Sequence, residues 1–492
     1  MGMVLNTNIG SIQAQRALTE SRAEMEKAMQ RLSTGLRINS AADDAAGLAI
    51  VERMNTQIRG LTMATKNAND GIALIKTVEN ALVEVSGMLQ RMRELSVQAS
   101  NDTNTATERA FANNEISQLQ LEISRVSLNT RYNGAQVLNG SFAAKTLQVG
   151  TEAGETIAFS IDTVESATLG AFVLTSLNQA TLTNTGGATP PSGQAHAQDI
   201  TLTAGSNART IEIAAGDSVK TIAKRINAVA GATGVTAEAR TFARLSSTDS
   251  TGNATAKIKI NGTETAAFAL SSSDVSDAVT KINAISATTG VQASATDDYK
   301  VLLSDKKGGT IKIQNTSTRT DIKVESIAND GTSPHSTSIT MATADANSSS
   351  ATVTGTIRLT SATEFSLDSS AASNDEWFTD ANTPAALSTV GTVDITSRVK
   401  ASDAIAIIDG AIQKISGMRG GLGTLQNRLD YTVSNLMKVT EYTTGARSRI
   451  QDADFAAETA RLAKAQVLQQ AGAAMLSQAN GSTDVILQII RG

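Results

Sequence analysis

Cysteine is absent from the 492 residues of the chain. No disulfide frame, thiolate nucleophile or cysteine-held metal can therefore be built, and the redox compartment leaves no mark. A chain that crosses membranes unfolded benefits from lacking thiols, and compositional drift explains the absence equally well. Histidine occurs twice, as His196 and His335, and neither lies in an HExxH pattern, so both read as surface residues and not as zinc ligands. Proline occurs four times, and aromatic residues make up 3% against 40% apolar overall. Burial then falls to Ala, Val, Ile and Leu along helices and in small β units, not to one thick core. The net charge of −5 carries mixed signs and no basic block. That removes the electrostatic footprint of a nucleic-acid binder and leaves proteins as the expected partners. No run reaches the roughly eighteen apolar residues of a membrane span, and the opening residues hold no continuous apolar core of a signal peptide. Asn6 stands where a myristoylation signal needs Ser or Thr.

What the chain has in quantity is helical periodicity. The stretch from Ser40 to Ala99 contains no proline and carries Val51, Met54, Ile58, Leu61, Thr65, Ala68, Ile72 and Ile75 three and four apart. A shifted line follows through Val78, Leu82, Val85, Leu89 and Met92. This is the spacing of a helix packed lengthwise on others, and the shift marks a change of partner. Such a helix is a rod roughly 75–90 Å long, well past the globular mean. Ser40 stands three residues before Asp43, a capping-box spacing, and Asp43 and Asp44 place negative charge at a positive helix end. The helix is expected to start there. Capping also accounts for Asp43-Asp44 and for Asp452 with Asp454 better than acid catalysis does.

Other helices are expected on the same grounds. Asn8 to Leu32 carries a thin apolar face of Leu18, Met25, Ala28 and Leu32. Thr105 and Glu108 form a second capping pair before Ile116, Leu119, Ile123 and Val126, with Asn133-Gly134 as the stop. Ile405, Ile408, Ile412, Ile415, Leu422, Leu429, Val433 and Leu436 make a seam suited to the long helix, weakened at Gly420, Gly421 and Gly423. A last helix is expected from Asp452 and Asp454 through Leu462, Val467, Leu468, Met475 and Leu476, before the apolar end Val485–Ile490.

Between these ends the period turns strand-like. Thr146–Val149 and Thr156–Ile161, separated by Gly150 to Gly154, read as a β-hairpin. A Thr/Gly/Pro-rich segment around Pro190-Pro191 marks a domain boundary. RINAVAGATGVTA at 225–237 recurs as KINAISATTGVQA at 281–293, so two small α+β modules, about 199–254 and 255–325, are expected as adjacent knobs. The Ser/Thr/Ala-rich stretch from Asn329 to Asp380 specifies structure poorly apart from a strand pattern at Thr352–Leu359, and Trp377 reads as a small-core anchor. The fold class is therefore α + β and multidomain: a long coiled-coil-like helical bundle formed by both chain ends, with β-rich modules inserted in the middle. The end helices carry more apolar surface than one pair can bury, which points to other copies of the chain.

The motifs themselves resemble those of bacterial flagellin. They are LNTNIGSIQAQRAL, RLSTGLRINSAADDAAGLAI, NANDGIALIKTVENAL, LQRMRELSVQASND and NTRYNGAQVLNG near the start. GGLGTLQNRLDYTVSNL and SRIQDADFAAETARLAKAQVLQQAGAAMLSQAN stand near the end. They span roughly the first 140 and last 90 residues; the repeated modules resemble, more weakly, an insertion motif of flagellin and hook-protein middles. The tail QANGSTDVILQIIRG lacks the family's usual Gln-x-Pro-Gln, and Gly420 replaces a usual Ala or Ser.

The resemblance implies a non-enzymatic subunit that polymerises into the extracellular flagellar filament used for swimming, with no catalytic, cofactor or metal site. Residues 1–45 with 450–492 would form an inner helical domain, 46–178 with 399–449 a surrounding helical tube, and 179–398 an outer region. Its partners would be many copies of itself, hook-associated and cap proteins, an export chaperone at the C-terminal segment and the innate immune flagellin receptor, without nucleic acid or membrane insertion. Gln90, Arg91, Leu95, Gln98 and Glu115 match the receptor-recognition patch. Ile58, Leu61, Ile72, Ile75, Leu82, Leu89, Ile405, Ile412, Leu429 and Leu436 are the residues expected to pack the filament. Residues 1–40 and 455–492 are expected to be disordered in the monomer and to order on assembly. Two rivals stand beside this reading: a hook–filament junction protein of the same superfamily, and an adhesin whose middle modules bind surfaces or glycans.

Overall fold

Helix ends are decided by local hydrogen-bond chemistry, and here they correct the sequence reading in detail. The computed structural model describes residues 7–176, 182–183, 198–214, 217–249, 254–296, 298–335, 338–342, 350–369 and 383–491. Pro190-Pro191, His196, Trp377 and the side chains of Val485–Ile490 lie outside what is described. The helices are α1 (Ile9–Thr34), α2 (Ala45–Ala99), α3 (Ala106–Asn129), α4 (Val219–Ala228), α5 (Ala230–Thr233), α6 (Ser276–Ala284), α7 (Ser286–Thr289), α8 (Arg398–Gln451) and α9 (Phe455–Arg491).

The cap of α2 is Asp44, not Ser40: its Oδ1 accepts from the Gly47 N–H at 2.8 Å and its carbonyl from Leu48. Asp43 instead closes the preceding turn, accepting from the Asn39 and Ser40 N–H groups. Those two donors hold its carboxyl below the usual range, Ser40 first. The Thr105–Glu108 capping box is present. However, α3 stops at Asn129, and Asn133 (φ 48°) with Gly134 (φ 82°) turns a hairpin between Arg131–Tyr132 and Ala135–Gln136. Asp454 caps α9. Gly420, Gly421 and Gly423 lie inside α8 without breaking it.

Two compact units emerge, with divisions falling inside α2 and α8. The first comprises Met1–Lys76, Ala144–Phe159 and Gly423–Gly492. Here α1 and α9 run antiparallel, Asn8 meeting Ala479 and Arg31 meeting Glu458. The stretches of α2 and α8 in this unit are also antiparallel: Leu61, Ala64 and Leu436 share a core with Val439, and Arg447 reaches Asn55. The hairpin pairs Lys145–Gln148 with Thr156–Phe159. It docks through Asn67 to the Gln148 carbonyl, and over Gly71, where a Cβ would collide with Leu147.

The second unit, Thr77–Ala143 with Ser160–Leu422, is organised on one strand, Thr236–Ser247. That strand pairs with Val301–Asp305, Ile322–Ile327 and Thr356–Ser361 in an eight-stranded sheet. Its first half contributes Ala237 and Ala239 to a core with Ile200, Ile222, Phe365 and Leu367. Its second half contributes Ala243 and Leu245 to another with Ile258, Phe268, Ile282 and Val324. The repeated segments fold alike: the Asn227 amide clasps both backbone groups of Ala237, and Asn283 does the same at Ala293. They are nonetheless not separate knobs, because their strands share this sheet. Within the Ser/Thr-rich stretch, Thr356–Ser361 is a strand buried at every position, which its composition does not suggest. The sheet also joins the two sides of the expected boundary near 178, as Gly170–Thr175 pairs with Thr356–Ser361 and Ala386–Thr389.

Buried charge fastens these strands to α8. Arg240 and Arg358, on neighbouring strands, both reach Asp403 Oδ1 at 2.6 Å, and Arg240 also holds Glu238. Burial pulls the Arg358 guanidinium below its usual value and Arg240 adds to this, against the attraction of Asp403. Removing the shared carboxylate would leave Arg358 as a buried cation without its carboxylate and Arg240 with Glu238 alone, a loss on the order of 3–5 kcal/mol. Asp403→Asn should lower the urea midpoint of the whole chain clearly without changing its helical signal at zero denaturant. An unchanged midpoint would show the two arginines to be independent of Asp403.

Candidate functional site

Helical seams can be filled within a chain or between chains, and heptad spacing does not distinguish the two. Of the residues expected to pack copies together, Leu61, Ile72, Ile75, Leu82, Leu89, Leu429 and Leu436 are buried inside the single chain. Ile58, Ile405 and Ile412 are half-buried at seam edges. The inner line of α8 runs instead through Ala401, Ala404, Ile408, Ala411, Ile415 and Leu422, and Ile116 and Ile123 of α3 are likewise buried. Helices α3 and α8 and the 145–159 hairpin all pack on α2 within the chain.

The apolar residues left uncovered on α2, α3 and α8 are different ones that stand beside the seams. Phe111, Leu121 and Leu128 are exposed on α3, Val83 and Val97 on α2. In the first unit Met63, Tyr431, Met437 and Tyr442 are exposed, Tyr431 at 79%. A groove of about 760 Å³ lies there, walled by Thr62, Thr65, Val433 and Met437 and edged by Asp430, Lys438 and Glu441. Its signal in the sequence was an apolar residue one place after a seam position, as Met437 follows Leu436. On the terminal pair, Ile9, Ile12, Met29, Phe455, Val467, Leu468 and Met475 are exposed. The α1–α9 seam itself is small and polar, with Ser11, Ala28, Ala465 and Glu458 buried in it.

The patch of Gln90, Arg91, Leu95, Gln98 and Glu115 is brought together only in part. Arg91 Nε meets Glu115 Oε1 at 2.7 Å and Nη1 meets Glu94 at 3.1 Å. These partners, Glu115 first, hold the guanidinium above its usual value. Gln90 and Gln98 are exposed on α2, but Leu95 is 3% exposed. Leu95 therefore belongs to the core beneath the patch and not to a presented surface. Arg93–Asp409 and Arg419–Glu79 tie α2 to α8 in the same unit. His335 is exposed.

Comparison with known proteins bears on these faces. Residues 5–143 match the bacterial flagellin N-terminal helical region, 405–490 the bacterial flagellin C-terminal helical region, and 199–251 the flagellin hook IN motif. The chain is 37% identical to the B-type flagellin of Pseudomonas aeruginosa over 496 aligned positions, covering all of both chains. It is 31% identical to flagellin B of Vibrio cholerae, again over all of both. Among solved structures, FliC from Burkholderia pseudomallei is 18% identical, with 73% of this chain and 99% of that one covered, at a TM-score of 0.29, too loose a superposition to argue from.

Proposed function

The chain belongs to the bacterial flagellin family, and from that premise we propose that its terminal helices and the uncovered faces of α2, α3 and α8 join copies into the filament. It is a structural subunit of the flagellar filament and not an enzyme. What supports the location of the joining faces is one observation: large apolar side chains remain exposed on helices whose seams are already filled. Each such side chain, once covered, contributes about 1.5–3 kcal/mol, and a subunit contacting several neighbours covers many. The junction-protein reading has less support, because the matches over the whole chain are to flagellins.

The finer layout follows as part of the proposal. Residues 1–45 with 450–492 form the inner domain, 46–178 with 399–449 the tube, and 179–398 the outer region. The chain leaves the cell unfolded, its C-terminal segment held by an export chaperone, and meets hook-associated and cap proteins at the filament's ends. The terminal helices, with a small and polar seam and exposed outer faces, gain full order only as neighbours cover them. Gln90, Arg91, Gln98 and Glu115 are reachable in the unassembled chain, which suits recognition of the monomer by the innate flagellin receptor.

Seam and surface substitutions separate folding from assembly. Leu61→Asp puts an unpaired carboxylate in the core with Leu436 and should cost about 3 kcal/mol or more of monomer stability. Tyr431→Asp should leave the melting temperature of the monomer within about a degree or two, as surface changes do, yet abolish seeded filaments in electron micrographs. Normal filaments from Tyr431→Asp would remove that face from the assembly. In a receptor reporter assay, Arg91→Ala should reduce the potency of monomer by about tenfold, the loss of one charge-assisted pair; equal potency would remove the patch.

A further inference from the structure

The α1–α9 seam repeats itself along its length, so its packing alone does not select one register. On α9 the inward positions at heptad spacing are Ala465, Gly472 and Ala479, all small, interleaved with Leu462, Gln469 and Leu476. A Cβ on Gly472 would stand 3.3 Å from Leu18. Sliding α9 by one heptad would offer Leu18 an alanine in place of that glycine and keep small residues along the inward line, exchanging only Gln469 with a leucine on the interleaved one. The amide of Asn8 donates to the Ala479 carbonyl, a backbone group that every register provides.

One end of the pair is unlike the rest. Glu458 is 4% exposed, and its Oε1 lies 3.1 Å from Arg31 and 2.9 Å from Arg461. One turn away, Gly35–Arg37 and Gln451–Ala453 form a short antiparallel bridge. In it the Arg37 N–H donates to the Gln451 carbonyl at 2.7 Å and the Ala453 N–H to the Gly35 carbonyl at 2.9 Å. A shift of one heptad would set Ala465 or Gln451 opposite Arg31 and leave the buried carboxylate without its cross-helix cation. That penalty is specific to register, in the way a single buried polar residue fixes a coiled coil.

We propose that Arg31, Glu458 and the adjoining backbone bridge form a clasp that sets the register of the terminal helices and from which their pairing zips toward Asn8 and Ala479. The clasp rests on the reading that these ends order during assembly. Beginning at a pre-joined point removes most of the nucleation cost that makes isolated helices marginal.

The cysteine-free chain makes the test clean. In the full-length protein, Leu18→Cys with Gly472→Cys reports the observed register, and Leu18→Cys with Ala479→Cys or with Ala465→Cys the shifted ones. Cross-linking is read before seeding and in filaments where each variant is doped into an excess of wild-type chain, so that assembly does not depend on the variant. Adding Glu458→Gln should lower the ratio of observed to shifted cross-links by at least about tenfold, or lose the Leu18–Gly472 cross-link altogether, a smaller effect than for a fully buried pair because Arg31 keeps a fifth of its side chain in solvent. The charge exchange Arg31→Glu with Glu458→Arg should restore it. An unchanged ratio in Glu458→Gln, or no recovery on exchange, overturns the clasp. Failure of the wild-type chain to polymerise counts against the filament reading instead, while the cross-link ratio in the unassembled chain still decides the clasp.

Discussion

Burial of long apolar stripes against helices from the other end of the same chain is the constraint on which the rest depends. α2 presents a nearly unbroken line from Val51 to Ala99, and no local turn can cover it. The chain must return from the far side of a large β insertion to supply α8. Its Ile415, Leu422, Leu429 and Leu436 then face inward at strict heptad intervals. Once that line is covered, the apolar surface that remains is the surface we propose other copies cover. The same antiparallel return brings α9 to α1, but there Ser11, Ala28, Ala465 and Gly472 stand beside half-buried Leu18, Leu462 and Leu476, with Glu458 buried between Arg31 and Arg461, and the contact leaves Phe455, Val467 and Met475 outside.

The β region is joined to this frame by more than its two connections. Gln120 of α3 donates to the carbonyls of Val390 and Val393, and Asn113 accepts from Ile395. Phe242, Ile327 and Val399 share a small core, and Asp403 holds two arginines of the sheet. A deletion of 179–398 would leave the strand Gly170–Thr175 without both of its partners. The middle is therefore continuous with its support in a way that an appended decoration is not.

Much of this was legible in the residues, because helix seams, the Thr105–Glu108 capping box and the 225–237 repeat are local patterns with local causes. The failures share a different cause. Asp43 and Asp44 are adjacent, and only the chain direction after Ser40 decides which one caps. Asn133-Gly134 ends a helix or turns a hairpin with the same positive φ. Thr356–Ser361 looks solvent-facing until Asp403 neutralises Arg358 and both sheet faces are covered. Leu61 and Tyr431 are both large side chains on long helices, and periodicity ranks Leu61 higher for assembly although it is already buried. Which copy of the chain supplies a partner is not a property of spacing.

The central claim is that the terminal helices are completed by neighbouring copies. In the single chain each has one partner and a thin seam, and the exposed Ile12, Met29, Val467 and Met475 offer no stabilisation until they are covered. Amide hydrogen exchange, compared between monomer and filament of the same protein, reads this directly. The account predicts fast exchange through Ile9–Thr34 and Phe455–Asn480 in monomer, strong protection of both in filament, and slow exchange around Leu82–Met92 and Ile408–Leu422 in each. Equal protection of the ends before and after assembly would contradict it.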